Sequence, residues 1–235
     1  MNFTKRSGMK ELLDGDHIPF EDILLNMREL NTINTLLGGH AITIAGFKKI
    51  AGNKKQVHIC EIGCGGGDNL VAVYQYAKKN EIELKITGID IKKECIAVAQ
   101  QRTELQDATL LVSDYRAIAF DKKPDIIFSS LFCHHFSHEA LVQQILWMQA
   151  GATTGFFIND LQRHRLAYYA IKLLTQLFSS SYLVKNDAPL SVARGFVKAE
   201  WESILDEADV KKYTIQWKWA FRYLVIIKNN AHARS

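Results

Sequence analysis

The chain has 235 residues, of which 48% are hydrophobic and 23% are charged, and its formal net charge is +4. This length allows one domain with a sizeable core, and the composition excludes a disordered chain. The mild positive charge lacks the density that nucleic-acid binding usually requires, so we expect no nucleic-acid partner.

The N-terminal stretch has basic residues but no apolar core behind them, which is unlike a signal peptide. No stretch approaches the roughly 18 apolar residues of a membrane span. The four cysteines, Cys60, Cys64, Cys95 and Cys133, form no CxxC pair, and several lie within apolar runs. We therefore expect a cytoplasmic protein with reduced, buried thiols and no metal site. The sequence indicates no particular oligomeric state.

The first predicted element is a helix over residues 20–37, where apolar residues recur at helical spacing. Pro19 stands at its start and Gly38-Gly39 follows it, and both are typical boundary signals. The helix precedes the rest of the pattern. We therefore predict an N-terminal helical extension, or cap, over residues 1–52 and a main domain over residues 53–235.

Seven apolar runs are predicted as strands: QVHICEI, LKITGID, ATLLVSD, PDIIFSSLF, TTGFFIND, VKKYTIQWKW and AFRYLVIIK. Helical segments alternate with the first five runs. This alternation predicts an α/β fold, with a doubly wound, mostly parallel seven-stranded sheet and helices on both faces. The last two runs are separated by almost nothing, which predicts an antiparallel hairpin at the C-terminus.

A glycine-rich turn follows the first strand, in the sequence EIGCGGGD. At this turn a doubly wound sheet brings its backbone close to a nucleotide-like ligand. Glycine permits positive φ and has no Cβ to block that approach. The dinucleotide fingerprint GxGxxG does not match, because from Gly63 it requires a glycine at the position of Asp68.

An acidic residue followed by GxGxG does match: Glu61, Gly63, Gly65 and Gly67. In this motif the chain resembles the class I S-adenosylmethionine-dependent methyltransferases. The resemblance implies that S-adenosylmethionine is the cofactor and that the three glycines pass close to its methionine part. It also implies that Glu61 supports the loop or the ammonium side of the cofactor.

Two later strand ends fit the same resemblance. Asp90 ends the run LKITGID, where the family's acid takes both ribose hydroxyls, since one carboxylate can accept two hydrogen bonds. Asp114 ends the third run and resembles the family's adenine-side residue, with Ser113 and Tyr115 beside it.

The segment after the fourth strand bears on the methyl acceptor. It lacks the proline-rich motif of nucleic-acid amino-methyltransferases, and Cys133 follows Phe132 rather than the proline of cytosine-C5 enzymes. His134 and His135 resemble a histidine pair found here in many small-molecule methyltransferases. Histidine is suited to removing a phenolic proton near neutral pH, and the alternative is packing under the cofactor. Because alternate strand side chains point to opposite faces, we expect only one of the two to reach the cleft.

Beyond the fifth strand, residues of about 161–196 are predicted to form an acceptor-recognition insert. Asp160 and His164 are further candidate bases, and Arg163, Tyr168 and Arg194 are candidate acceptor-binding residues. The apolar helix here is interpreted as core, as a lid over a hydrophobic acceptor, or as a peripheral membrane contact. The sequence NDAPLSVARGF that follows is predicted as a polar, rigid loop.

NDLQRH and DAPLSVARGF also resemble a bacterial subgroup of small-molecule methyltransferases related to quinone-pathway enzymes. This resemblance implies O-methylation of a small hydrophobic acceptor, phenolic or hydroxylated and polyketide- or quinone-like. Two alternatives stay open: methylation of carbon or nitrogen in a small molecule, and a cofactor-binding protein without catalytic activity.

Overall fold

A computed structural model describes residues 2–15 and 17–229 of the chain. Seven strands form one sheet: β1 (Gln56–Ile62), β2 (Glu83–Asp90), β3 (Thr109–Val112), β4 (Ile126–Ser130), β5 (Gly155–Leu161), β6 (Tyr213–Lys218) and β7 (Arg222–Lys228). The strand order is β3-β2-β1-β4-β5-β7-β6. Strands β1 to β5 are parallel, and β7 runs antiparallel to both β5 and β6. The predicted sheet and its C-terminal hairpin are confirmed.

In the described part of the chain, eight α-helices accompany the sheet: α1 (Phe20–Leu36), α2 (Gly39–Ala51), α3 (Asp68–Lys79), α4 (Lys93–Gln100), α5 (His138–Gly151), α6 (Arg165–Phe178), α7 (Tyr182–Arg194) and α8 (Lys198–Glu207). The helix predicted after Pro19 is present, whereas α2 and α8 were not predicted as separate elements. Within the described residues, no helix has the length and apolar character needed to cross a membrane.

The prediction of a loop at NDAPLSVARGF is wrong, because most of these residues belong to α7. Ser181 caps the helix by accepting a hydrogen bond from the Val184 N–H. Pro189 lies inside α7, where a proline costs about 3 kcal/mol. Leu183 and Leu190 are buried on the same helix, and burial of each contributes roughly 1.5–3 kcal/mol. The apolar face therefore outweighs the proline.

Hydrophobic side chains fill both faces of the sheet. On one face Phe156 packs in a cluster with Trp201 of α8. On the other, Phe128 and Phe157 pack in a cluster with Phe47 of α2. Helix α2 therefore contributes to the central core, although it belongs to the predicted N-terminal extension. All four cysteines are buried and free, as predicted.

The segment of residues 2–15 crosses the body of the protein at the carboxyl edge of the parallel strands. The Arg6 guanidinium donates to the backbone oxygens of His134 and Phe136, at 3.0 and 2.9 Å. The carboxylate of Asp187 in α7 accepts from the backbone N–H groups of residues 12 and 13, at 2.8 and 2.9 Å. These contacts hold the acidic side chains of this segment, Glu11 among them, over the strand ends.

Candidate functional site

A cavity of about 580 Å³ lies at the carboxyl ends of the parallel strands. Its wall comes from the glycine-rich turn, the segments after β2, β3 and β4, the N-terminal segment, α1, α6 and the turn between β6 and β7. Small-molecule sites commonly measure roughly 300–1,000 Å³, and doubly wound sheets bind ligands at this edge. The cavity is therefore the candidate site.

The three glycines of the turn all adopt positive φ, at 66° for Gly63, 51° for Gly65 and 76° for Gly67. A Cβ at Gly63 would clash with the ring of Phe132, and one at Gly67 would lie 2.6 Å from Leu105. A Cβ at Gly65 would approach only the Met27 sulfur, at 3.6 Å. The outer two glycines thus serve close packing, whereas the middle one leaves open space beside the cavity.

Asp90 lies at the end of β2, in the wall of the cavity. Its two carboxylate oxygens accept from the backbone N–H groups of Gly65, at 2.8 Å, and Lys92, at 2.9 Å. Burial raises the pKa of Asp90, and these hydrogen bonds oppose that effect. Each oxygen retains a further lone pair, so the carboxylate fits the predicted pair of ribose hydroxyls.

Glu61 is buried beneath the glycine-rich turn and also contributes to the cavity wall. Its Oε1 accepts from the Asn69 amide at 3.4 Å, while its Oε2 has no partner within the described residues. Burial and the nearby charge of Asp68 raise the pKa of Glu61 well above its ordinary value. An ammonium group beside Oε2 would supply the missing donor. The residues at this end of the cavity therefore fit S-adenosylmethionine.

Ser113, Asp114 and Tyr115 line the cavity after β3. The Asp114 carboxylate accepts from the backbone N–H of Arg116 at 2.9 Å and also pairs with the guanidinium of that residue. Tyr115 is buried with its ring centroid 5.1 Å from that of Trp147. The adenine-side role of these residues stays a prediction.

His134 and His135 lie in a short 3-10 turn, Cys133–His135, rather than on a strand. Their ring centroids are 4.4 Å apart, and both residues line the cavity. The expectation that only one histidine reaches the cleft is therefore wrong, because side chains in a tight helical turn do not alternate between opposite faces.

His134 is buried between two carboxylates. Its Nδ1 lies 2.8 Å from Asp160 Oδ1, and its Nε2 lies 3.4 Å from Glu11 Oε1. Burial lowers the pKa of His134, but the charge of Asp160 and its hydrogen bonds outweigh burial and raise the pKa to about 9. At neutral pH this ring is protonated, which makes it a poor base. Asp160 itself does not line the cavity.

His135 is half-buried and has a different environment. Its Nδ1 lies 3.1 Å from an Asp14 carboxylate oxygen, and its Nε2 lies 3.7 Å from Glu11 Oε2. The Asp14 carboxylate orients the imidazole through Nδ1. The 3.7 Å from Nε2 to Glu11 exceeds hydrogen-bond distance, so Nε2 is left to exchange a proton. This arrangement makes His135 the better-placed base of the pair.

The other predicted acceptor-side residues do not line the cavity. His164 caps α6 and stacks on Phe221, and Arg163 pairs with Glu200 at 2.9 Å. The remaining two residues also have protein partners: Tyr168 packs against Phe3, and Arg194 donates to the backbone oxygens of His134 and His135. The structure therefore gives no support to the predicted acceptor-side roles of these four side chains, which stay predictions. Arg194 instead positions the turn that carries the two histidines.

Sequence analysis did not identify Glu11 and Asp14, although both line the cavity and contact the histidine pair. They lie more than a hundred residues from the histidines, and no local pattern marks them. Glu11, His134 and His135 also place one ligand atom each within 4.8 Å of one another, which could hold a metal ion. The absence of a metal site stays a prediction.

The buried His134–Asp160 pair predicts a pH-dependent stability. The pKa of His134 rises from 6.5 to about 9 on folding. The contribution of His134 to the free energy of unfolding is therefore fully present below pH 6.5 and is lost as the pH rises through about 9. A shift of this size corresponds to roughly 3 kcal/mol. We expect the Tm of the wild-type protein to fall across this window and that of His134→Gln to change much less, as measured by calorimetry.

His138→Gln is the matched control, because its ion pair with Glu207 is exposed at the surface. This variant should keep the wild-type slope of Tm against pH. Parallel slopes for wild type and His134→Gln would show that the buried pair does not couple folding to protonation.

Comparison with protein families gives a match to a methyltransferase domain over residues 59–150. This range contains the glycine-rich turn, Asp90 and the histidine pair. Comparison with curated proteins gave no match.

Comparison with solved structures shows that the fold of this chain is similar to the folds of several methyltransferases. The plantazolicin methyltransferase BpumL in complex with SAH superposes with a TM-score of 0.65 at 18% identity, over 90% of this chain and 89% of that one. Magnesium protoporphyrin IX methyltransferase from Synechocystis, with bound SAH, gives a TM-score of 0.54 at 15% identity, over 92% and 90% of the chains. Human N-acetylserotonin methyltransferase in complex with SAM gives a TM-score of 0.62 at 13% identity, over 89% of this chain and 56% of that one. These similarities establish the fold, and the cofactor bound in these structures is SAM or SAH.

Proposed function

We propose that this chain is a class I S-adenosylmethionine-dependent methyltransferase and that it methylates an oxygen atom of a small hydrophobic acceptor. The domain match and the fold support the first part of the proposal. The acceptors named for the three similar structures differ from one another, so none is carried over to this chain. The proposal depends instead on the residues of the cavity.

The observation that carries the proposal is the position of His135. It lies in the wall of the same cavity as Gly65 and Asp90, and its Nδ1 is within 3.1 Å of an Asp14 oxygen. A hydroxyl acceptor needs a base to become a strong nucleophile, because a phenol has a pKa of about 10. An imidazole oriented by a carboxylate is a group that supplies this base near neutral pH.

Other residues of the cavity wall would position the cofactor and the acceptor for methyl transfer. When bound, S-adenosylmethionine supplies an electrophilic methyl group on a positively charged sulfur. Gly65 leaves space for it, Glu61 and Asp90 offer carboxylates to its polar groups, and His135 accepts the acceptor proton. Apolar residues of α1 and α6 form part of the cavity wall, and an apolar wall strengthens electrostatic interactions within a site.

A labelled-methyl assay tests the proposed activity. The protein is incubated with S-adenosylmethionine carrying a radioactive methyl group and with a panel of phenols, quinols, amines and RNA, with and without EDTA. We expect label only in hydroxylated, hydrophobic acceptors and no effect of EDTA. Label in amines or at carbon would replace O-methylation by one of the alternatives. Cofactor binding without any transfer would indicate a binding protein, and loss of transfer in EDTA would indicate a metal at Glu11 and the histidine pair.

Asp90→Ala should weaken the binding of S-adenosylmethionine and S-adenosylhomocysteine together, because both carry the same ribose. Loss of hydrogen bonds to a charged group costs roughly 1.5–3 kcal/mol, or about ten-fold to a hundred-fold in affinity. Isothermal titration calorimetry measures this loss.

Asp121→Ala, a change at an exposed acid, serves as the control and should bind with wild-type affinity. Asp90→Asn should show a smaller loss than Asp90→Ala, since its amide oxygen still accepts one hydrogen bond. Unchanged affinity in Asp90→Ala would remove this residue from the cofactor site.

A further inference from the structure

Strand β7 carries a charged residue at a core position. Side chains at residues 222, 224 and 226 share one face of the strand, since alternate residues point the same way. Leu224 and Ile226 are buried in the core on that face. Arg222 is buried as well, with 2% of its surface exposed, and it lines the cavity. A guanidinium therefore occupies a place where the strand pattern favours an apolar side chain.

The guanidinium of Arg222 is poorly satisfied by its neighbours. Its Nη2 donates to Asn34 Oδ1 at 2.8 Å. Its Nε and Nη1 have no hydrogen-bond partner within the described residues. Among the described residues, no carboxylate lies within ion-pair distance of the Arg222 guanidinium. Burial lowers the pKa of Arg222 to about 10, although the charge of Asp160 opposes this effect, and the group stays protonated at neutral pH.

The surroundings of Arg222 add to its need for a negative partner. Gly39, the first residue of α2, is its immediate neighbour, because a Cβ built there would lie 2.8 Å from Nη1. The N-terminus of a helix carries partial positive charge, so it disfavours a cation and favours an anion. A buried cation without a partner is strongly unfavourable, and natural proteins usually pair such groups.

We propose that Arg222, together with Asn34, binds an anionic oxygen group of the acceptor, with a carboxylate as the chemical class. This inference rests on the proposed function and narrows its substrate. The cavity wall also contains apolar residues of or beside α1, β5 and α6, among them Leu37, Leu161 and Ile171. The acceptor is then an amphiphile whose apolar skeleton lies along α1 and α6 and whose acidic group meets the guanidinium.

A pair of matched probes tests the proposal on the protein loaded with S-adenosylhomocysteine. Calorimetric titration at pH 7 compares 4-octylbenzoate with its uncharged methyl ester. We expect the wild-type protein to prefer the carboxylate by about ten-fold or more, as for a charge-assisted hydrogen bond. Arg222→Met should abolish this preference and leave the affinity for the ester unchanged. Arg222→Lys should keep part of the preference, and Lys218→Met on the neighbouring strand should keep all of it.

Thermal stability gives a second measurement that separates binding from a structural role. Without ligand, Arg222→Met should raise Tm, because it removes an unpaired buried charge and retains apolar volume. A structural arginine would instead make the methionine variant less stable.

Equal binding of the two probes to the wild-type protein, including no measurable binding of either, would overturn the proposal. So would a preference that survives in Arg222→Met, or a lower Tm in that variant. None of these results bears on cofactor binding or methyl transfer, which the labelled-methyl assay tests separately. Failure of the Arg222 proposal is therefore distinguishable from failure of the proposed function.

Discussion

Replacing His135 with glutamine should lower turnover by roughly 10²–10⁴-fold, the usual contribution of a general base. Glutamine keeps much of the volume and polarity of the imidazole but cannot accept the acceptor proton. The affinity for S-adenosylmethionine should hardly change, because the glycine-rich turn, Glu61 and Asp90 are left intact. Turnover is measured with the acceptor that the labelled-methyl assay identifies, and cofactor affinity is measured by calorimetry.

The acidity of the acceptor distinguishes a base from a packing residue. A more acidic phenol ionises without help, so the loss in His135→Gln should shrink as the phenol pKa falls. His164→Gln is the matched control, since that histidine caps α6 outside the cavity and should leave turnover near the wild-type value. A loss in His135→Gln of the same size for all acceptors would exclude proton removal by this residue.

Gly65→Val should abolish measurable cofactor binding while the fold persists. In the protein a Cβ at this position meets only the Met27 sulfur at 3.6 Å, so the space around it is free for a ligand. A branched side chain would fill that space and block the approach to the backbone. Binding of S-adenosylhomocysteine is measured by calorimetry, and folding by circular dichroism.

Gly52→Val controls for backbone strain in this experiment. Gly52 also has positive φ, at 58°, and nothing lies within 4 Å of a Cβ built on it. Both substitutions therefore place a branched residue at a positive φ, which strains the backbone, but Gly52 lies outside the cavity wall. Gly52→Val should bind the cofactor normally. Normal cofactor binding by Gly65→Val as well would show that the glycine-rich turn does not contact the cofactor.

The sheet and the glycine-rich turn beside the cavity could be predicted because their signals are local. Each strand is a short apolar run, and β1 has the same limits in the sequence pattern and in the structure. The glycines of the turn are marked by a spacing of two residues, and Asp90 is marked by its place at the end of a strand. Such features depend on neighbouring residues alone.

The acceptor end could not be predicted in the same way, because its contacts join distant parts of the chain. Glu11 and Asp14 meet the histidine pair across more than a hundred residues. Helix α7 forms despite Pro189 because tertiary burial outweighs a local signal. Arg222 could not be predicted either, because it begins the continuous apolar run RYLVIIK, where a charged residue is typical of an exposed strand end.

The N-terminal segment lies outside the methyltransferase-domain match, yet it supplies two of the carboxylates around the histidines. Helix α6 and Arg222, which also line the cavity, lie outside that match on its other side. The proposed cofactor-binding residues thus lie in one continuous stretch of sequence, whereas the proposed acceptor side combines His135 with residues from both flanking stretches. A chimaera that keeps residues 59–150 and takes its flanks from another methyltransferase of this fold is therefore expected to keep the cofactor and to change its acceptor.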